Sequence, residues 1–391
     1  MRLITIILFF VLRLSSTSYA QQLTNENALI TITPDTRVTV LGGLLNNGTL
    51  TNQGTLSVSE DWMNVGTYTS TGIFQLDGSL PQTVNHNGQT FNHLILSGGG
   101  EKTFNSDAQI ISEFELEDGL LTPAGSVVVL VESGATITGG SQASHVNGAL
   151  YHQGTGLKFY PIGKNNNYRP VTLTDVRGTD PVIGFEMFEP NPDPQAHFNL
   201  KTVSNTRYWQ KTERSGTYEG SPIAIDIGPD ENLGEDPATE DIVVTTSDQI
   251  GGIFFSLEQS SFTGSPREGV TISNLDAIRE FYAIGLEGFS EERTLYIPSA
   301  LAPAAPDPED QVVKVYGEEI VDQDFIFRIY NRWGEIIYET LSFTEANTNG
   351  WDGVNRTTNQ LESLGTFTYT VSGRFNSGNT FKRHGTITLV K

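Results

Sequence analysis

Between positions 44 and 80 the large apolar residues recur every six positions: Leu44, Leu50, Leu56, Trp62, Tyr68, Phe74 and Leu80. Two positions before each stands a glycine, at 42, 48, 54, 66, 72 and 78, with Glu60 the only interruption. One large apolar group and one glycine per six residues suit short strands joined by tight corners. The apolar column points inward and stacks, while glycine turns the chain where a side chain would clash. The pattern predicts a β-helix or β-solenoid, in which each coil buries its face against its neighbours. Beyond Leu80 the register loosens, but short apolar runs continue through HLILS, EFELEDG, SVVVLVESG and ATITGG. Residues 21–147 are therefore assigned to a solenoid-like repeat region.

From about Gly148 the rhythm changes to longer alternating runs, among them GLKFYPIG, YRPVTLTDV, PVIGFEMFE, SPIAIDIG, DIVVTTSD and REFYAIGL. Turn residues separate them at the spacing of a β-sandwich, which is assigned to 148–290. A Pro/Ala-rich lead-in, Pro298 to Pro308, is poorly suited to a central strand. Alternation then resumes. Phe325, Phe327 and Ile329 share one face, and Asn331 to Gly334 can form a tight turn before a returning strand, Glu335 to Thr340. A second turn, NGWDG at 349–353, carries an aromatic. Phe367, Tyr369 and Val371 alternate in the next strand, a Ser-Gly-Asn turn follows, and Ile387 and Leu389 point inward at the end. Residues 291–391 thus read as a second sandwich, and the chain as all-β throughout.

Composition agrees with this and narrows the partners. The 391 residues include 40 Gly and 17 Pro, no Cys, and a net charge of −23. Such a surface repels phosphate backbones, which disfavours nucleic acid. Without cysteine there is neither a disulfide framework nor a thiolate metal site. The N-terminus, MRLITIILFFVLRLSSTSYA, has Arg2, an apolar run from Leu3 to Leu12, then Ser18 and Ala20 before a cut at Gln21. It reads as a signal peptide, 1–20, because the run is too short to span a membrane and Arg13 interrupts it. No later segment reaches spanning length, so the mature chain carries no predicted membrane span.

Candidate chemistry is sparse. Many β-helices cleave acidic polysaccharides with Lys or Arg beside acidic groups, but between Gln21 and Leu150 the only basic residues are Arg37 and Lys102. A hydrolase needs only two facing carboxylates, and Glu60/Asp61 or Glu115/Glu117/Asp118 could supply them; a solvated acidic face is the simpler reading. Trp62, Tyr68 and Phe74 could stack on sugars, yet they share a column with leucines and fit the core better. His86 and His93, like His145 and His152, are seven apart, which on one strand puts them on opposite faces. No catalytic, cofactor or metal site is assigned, and the chain reads as a non-enzyme. The loop DIGPDENLGEDPATED, 226–241, gathers seven carboxylates in sixteen residues and offers the hard oxygens that Ca²⁺ requires. Pro229 and Pro237 argue for a stiff, solvated acidic excursion instead.

Three ordered motifs carry a family likeness: Asn331-Arg332-Trp333-Gly334-Glu335, then Trp351-Asp352-Gly353, then Gly385-Thr386 running to Lys391. Over about 295–391 the chain resembles the gliding-motility-associated C-terminal domain, the type B sorting domain of the type IX secretion system of Bacteroidota. The resemblance implies an immunoglobulin-like sandwich and export in two steps, the second by an outer-membrane translocon that reads the folded C-terminal domain. The cargo then lies at the cell surface or in the medium. The family's Phe-Thr-Pro-Asn-Gly-Asp-Gly-like opening loop is replaced here by Ala-Leu-Ala-Pro-Ala-Ala-Pro-Asp-Pro-Glu-Asp, 300–310, so an ion at that loop is not implied. Trp333 and Trp351 fit a sandwich core or corner. The segment Phe-Tyr-Pro-Ile-Gly with Tyr-Arg-Pro, 159–163 and 168–170, resembles stretches that follow repeats in large surface proteins of the same group. The remaining cargo has two readings: a structural or adhesin-like surface protein, or a glycan-binding or glycan-hydrolysing β-helix. Buried solenoid aromatics and scattered carboxylates favour the first; an open groove with paired carboxylates favours the second.

Overall fold

The computed structural model describes residues 22–197, 199–234, 237–288, 295–306, 308–317, 320–375 and 380–391. The signal-peptide assignment at 1–20 and the Ser-Gly-Asn turn at 377–379 lie outside them. The hexads fold as a solenoid. Leu44 pairs in parallel with Trp62, Thr49 with Thr67 and Thr55 with Ile73, each partner 18 positions further along. Three hexads therefore make one coil, with one short strand on each of three faces. One face stacks six strands: Leu23–Asn25, Leu44–Asn46, Trp62–Asn64, Gln82–Asn85, Glu101–Phe104 and Leu120–Pro123.

The apolar column points inward as the spacing requires. Leu44, Leu50, Leu56, Trp62, Tyr68 and Phe74 are all at most 3 % exposed. The rings of Trp62 and Phe74 lie 5.1 Å apart, and His86 stacks on Phe91 at 3.5 Å. Leu80 departs from the column and is 73 % exposed. Its coil is longer, and Val84 takes the place above Trp62. The repeat glycines stand where a side chain would clash, as the spacing predicts, and do so without left-handed backbone. None of Gly48, Gly54, Gly66, Gly72 and Gly78 has positive φ. A Cβ on Gly66 would instead meet the carbonyl oxygen of Gly48 at 2.1 Å, and one on Gly72 that of Gly54 at 2.1 Å. Glycine is required because consecutive coils nearly touch at this corner, not because the backbone turns left-handed. Gly66→Ala should therefore cost about 3 kcal/mol, whereas the neighbouring exposed Thr67→Ala should stay within about 0.5 kcal/mol. Urea unfolding of the two variants separates them.

Polar groups are stacked inside the coils as well. Asn25 Nδ2 donates to Asn46 Oδ1 at 2.7 Å, and Asn46 Nδ2 to Asn64 Oδ1 at 2.8 Å, in a buried asparagine ladder. Each rung satisfies a polar group that would otherwise be costly to bury. Lys102 is fully buried, and its Nζ donates to the carbonyls of Gly78 and Gly99, both at 2.7 Å. Burial lowers this lysine to about 8, against the opposing pull of Asp118 and Asp77. Its ammonium holds the bend at 98–100 together.

The middle sandwich grows directly from the last coils. Val129–Val131 pairs in parallel with Leu150–Gln153, which pairs antiparallel with the 18-residue strand Val171–Phe188. The first part of that strand joins one sheet, with Gly156–Tyr160 and Ile223–Ile227. From Arg177 onward it runs in the other sheet beside Tyr208–Gly220, with irregular pairing between Thr179 and Val182. Bulged strands that change sheets are how two layers share a corner. One apolar core runs from the solenoid into the sandwich. The sequence change near 147/148 therefore marks a change of strand length rather than a break in the core.

The chain divides into two compact units, the second comprising Ala196–Thr202 and Glu287–Lys391. In that unit a five-stranded sheet runs in the order Ala300–Leu301, Thr380–Leu389, Gly365–Arg374, Ile326–Tyr330, Ile336–Thr340. Phe325, Phe327, Ile329, Phe367, Val371, Ile387 and Leu389 are buried beneath it. Two-stranded ribbons, Leu295–Tyr296 with Tyr316–Gly317 and Val354–Asn355 with Gln360–Leu361, add short strands around the sheet. Within the proline-rich lead-in, Ala300–Leu301 pairs in parallel with the last strand at the sheet's edge. That is where a strand flanked by proline is tolerated.

Candidate functional site

The hairpin Ile326–Tyr330 to Ile336–Thr340 closes through Asn331. Asn331 Oδ1 accepts hydrogen bonds from the backbone N–H groups of Trp333 and Glu335, both at 3.0 Å. Asn331 N donates to Glu335 O and Gly334 N to Asn331 O, again at 3.0 Å. Gly334 has φ +82°, which a residue with a Cβ adopts only at a cost, so glycine completes the turn. Asn331 Nδ2 also donates to Glu335 Oε2 at 2.8 Å. Asn-Arg-Trp-Gly-Glu is therefore a self-bonded loop in which residues 331, 334 and 335 build the frame. Arg332 and Trp333 stand outside it, with the guanidinium 4.6 Å from the ring centroid.

The two motif tryptophans part company. Trp351 is fully buried, donates from Nε1 to Val354 O at 3.0 Å, and packs edge-on against Phe367 at 5.2 Å. Its backbone exchanges two hydrogen bonds with Val313. Asp352 caps the turn, Oδ1 accepting from Val354 N at 3.1 Å, and pairs with Arg356 at 3.2 Å. Gly353 has φ +82°. Trp333, by contrast, is 72 % exposed at the corner and takes no part in the core. Gly385 lies mid-strand opposite Tyr369, whose ring occupies the space a Cβ would need. Thr386 pairs with Thr368, and Lys391 is exposed beyond the last strand. The motifs thus belong to one compact unit without forming one cluster.

In the solenoid the candidate carboxylates Glu60, Asp61, Glu115, Glu117 and Asp118 are half-buried or exposed. Glu117 falls beyond the strand Ala108–Leu116, and Glu115 shares its outward face with Glu113. His93 sits between them, 3.6 Å from Glu113 and 3.4 Å from Glu115. Asp61 Oδ1 is engaged by the backbone N–H of Thr83 at 2.7 Å. Trp62, Tyr68 and Phe74 are buried and present no stacking platform.

The acidic loop is not the solvated excursion that its sequence suggests. Glu231 is buried, and Arg207, also fully buried, lies 3.5 Å from it and 3.3 Å from Glu189, with Asp230 in direct contact. Asp230 also pairs with Arg169 at 3.0 Å, and these arginines hold its carboxyl below the usual range despite some burial. Asp226 is pushed up to about 6 by burial, with Arg169 opposing. It faces an open cleft of about 450 Å³ lined also by Tyr168, Arg169, Gln142 and Glu268. Among the described residues no group of three His, Cys, Asp or Glu side chains is placed to hold a metal ion. The loop's carboxylates at 226, 230 and 231 are spent on burial and arginine pairing rather than on a calcium cage. Glu235 and Asp236 lie outside the described residues.

Residues 295–389 match the family model of the CHU_C type IX secretion signal domain. The match is to a C-terminal sorting domain. It covers the five-stranded sheet and every motif residue from Asn331 to Thr386. A search of curated proteins finds no match to the chain. A type IX sorting domain implies interaction with that secretion system and a destination at the cell surface or outside the cell. Among the described residues no helix is long and apolar enough to cross a membrane.

Proposed function

We propose that this chain is a non-catalytic structural or adhesin-like protein, carried through the inner membrane by its N-terminal signal peptide and across the outer membrane by its sorting domain. The match over 295–389 carries the export part of the reading. The apolar stretch Leu3–Leu12, with Ser18 and Ala20 ahead of Gln21, supports the first step. Buried solenoid aromatics and dispersed carboxylates support a structural cargo, a stalk whose coils are closed by ladders rather than opened as a groove.

Removing 295–391 tests export directly. In a type IX-competent host the internally tagged full chain is expected at the surface or in the medium, and the truncated chain in the periplasm. Equal surface delivery of both would refute the sorting role. A second reading, glycan binding, is favoured by one feature, the cleft in which Tyr168, Arg169, Gln142 and Asp226 converge. An aromatic ring among donors and acceptors suits a sugar. Retention of the chain on a glycan array, lost with Tyr168→Ala, would support it.

A further inference from the structure

Of the four tryptophans, Trp62, Trp209 and Trp351 are fully buried and Trp333 alone stands in solvent. The backbone beneath it is fixed from several sides. Asn331 Oδ1 holds the N–H groups of Trp333 and Glu335, and Gly334 N closes on Asn331 O. Asn331 Nδ2 ties down the Glu335 carboxylate at 2.8 Å. Arg332 lies over the exposed ring at 4.6 Å. The flanking strands do not need this tip for their own stability, because Phe327, Ile329 and Ile337 supply the burial. A rigid loop that displays an aromatic ring and a guanidinium has the composition of a binding hot spot and has already lost the freedom that docking would otherwise cost.

We infer that the Arg332–Trp333 tip is the contact by which the outer-membrane secretion machinery engages this domain. The inference rests on the sorting reading and names the surface that is read. The occupant is a protein surface offering an apolar pocket for the indole and carboxylate groups for Arg332, an exposed cation on a chain of net charge −23 whose loop neighbour Glu335 is already held by Asn331. Trp351, whose ring and N–H are both engaged inside the unit, has nothing left to offer a receptor.

The test compares the full chain with Trp333→Ala, Trp333→Phe, Arg332→Ala and the 295–391 deletion in a type IX-competent host. Extracellular and periplasmic fractions are quantified, and the thermal transition of each purified full-length variant is measured. Trp333→Ala is expected to lower the exported fraction about tenfold or more with its transition unchanged. Trp333→Phe should retain most export, and Arg332→Ala should fall between. Wild-type export of Trp333→Ala, with the deletion still held in the periplasm, would overturn the inference and leave the sorting reading intact. A lowered transition in Trp333→Ala would overturn it too, by making the residue structural. Export of the deletion would remove both.

Discussion

At pH 5 the solenoid–sandwich unit is expected to be about 2 to 3 kcal/mol less stable than at pH 7.5, with His86 and His152 as the cause. Burial lowers His86 to about 3, opposed by a backbone contact at Thr90, and lowers His152 to about 4, opposed by Phe159 and assisted by Lys158. Geometry explains why both stay neutral. His86 Nδ1 accepts the Trp62 indole N–H at 3.0 Å, so a proton there would break that bond. His152 donates from Nε2 to Phe159 O at 2.8 Å, and its buried Nδ1 has no partner for a second N–H. In the unfolded chain both imidazoles take a proton as the pH falls through about 6.5. The folded unit refuses it until far lower pH, so unfolding takes up protons and stability drops across that window. Each histidine contributes about 2 kcal/mol at pH 5. Asp226 acts in the opposite sense. Its folded value of about 6 lies above the usual carboxylate value, so acid stabilises it, offsetting about 1 kcal/mol at pH 5. Thermal scans of the full chain should show the larger unit's transition falling by roughly 5 to 10 °C between the two pH values. His86→Gln should remove about two thirds of that fall, because the Asp226 offset then cancels much of what His152 contributes. A transition that does not move with pH would mean that water or a shifted backbone solvates these rings.

The solenoid was legible because its physics is local and periodic. A column such as Leu56, Trp62, Tyr68 and Phe74 has one inward direction and one repeat length, and nothing outside the coil competes with it. Asn46, Asn52 and Asn64 occupy one register position of the same hexad. The ladder was therefore present as a signal, although asparagine in a β-rich sequence more readily suggests turns. Leu80 shows where the local rule ends: a few inserted residues moved the inward position to Val84, and only the pairing reveals it.

The acidic loop failed for a different reason. Its proline and carboxylate content describes a solvated strand of chain, and the partners that bury it, Arg169 and Arg207, lie 61 and 23 positions from Asp230. No pattern in the loop announces an arginine that distant. Lys102 is the same case, since its acceptors are backbone carbonyls, which every residue carries. The motif tryptophans are intermediate. Both follow turn residues in alternating sequence, and periodicity alone gave them one core-or-corner reading. What separates them is the frame. Gly350, at φ +61°, brings Trp351 against the Val313 backbone, whereas the Asn331 loop lifts Trp333 clear of it.

That separation supplies the second large effect. Trp351→Ala is expected to destabilise the C-terminal unit by about 3 to 5 kcal/mol, because the indole is fully buried and its loss leaves a cavity against Phe367. The Val354 carbonyl would also lose its donor. For a unit near a hundred residues, whose whole stability is roughly 5 to 15 kcal/mol, this removes a large share. It lowers the unit's transition by roughly 15 to 25 °C. Trp351→Phe, which keeps most of the ring volume, should lose much less. Export provides the complementary readout, since a surface contact such as Arg332–Trp333 exists only while the sheet beneath it is folded. At growth temperatures above its lowered transition, Trp351→Ala should therefore reach the medium no better than the 295–391 deletion, whereas Trp333→Ala should fail with its transition intact. If Trp351→Ala is unfolded at the growth temperature and is still exported at the wild-type level, the secretion machinery recognises an extended segment rather than a folded surface. The hairpin tip could then act only as linear sequence.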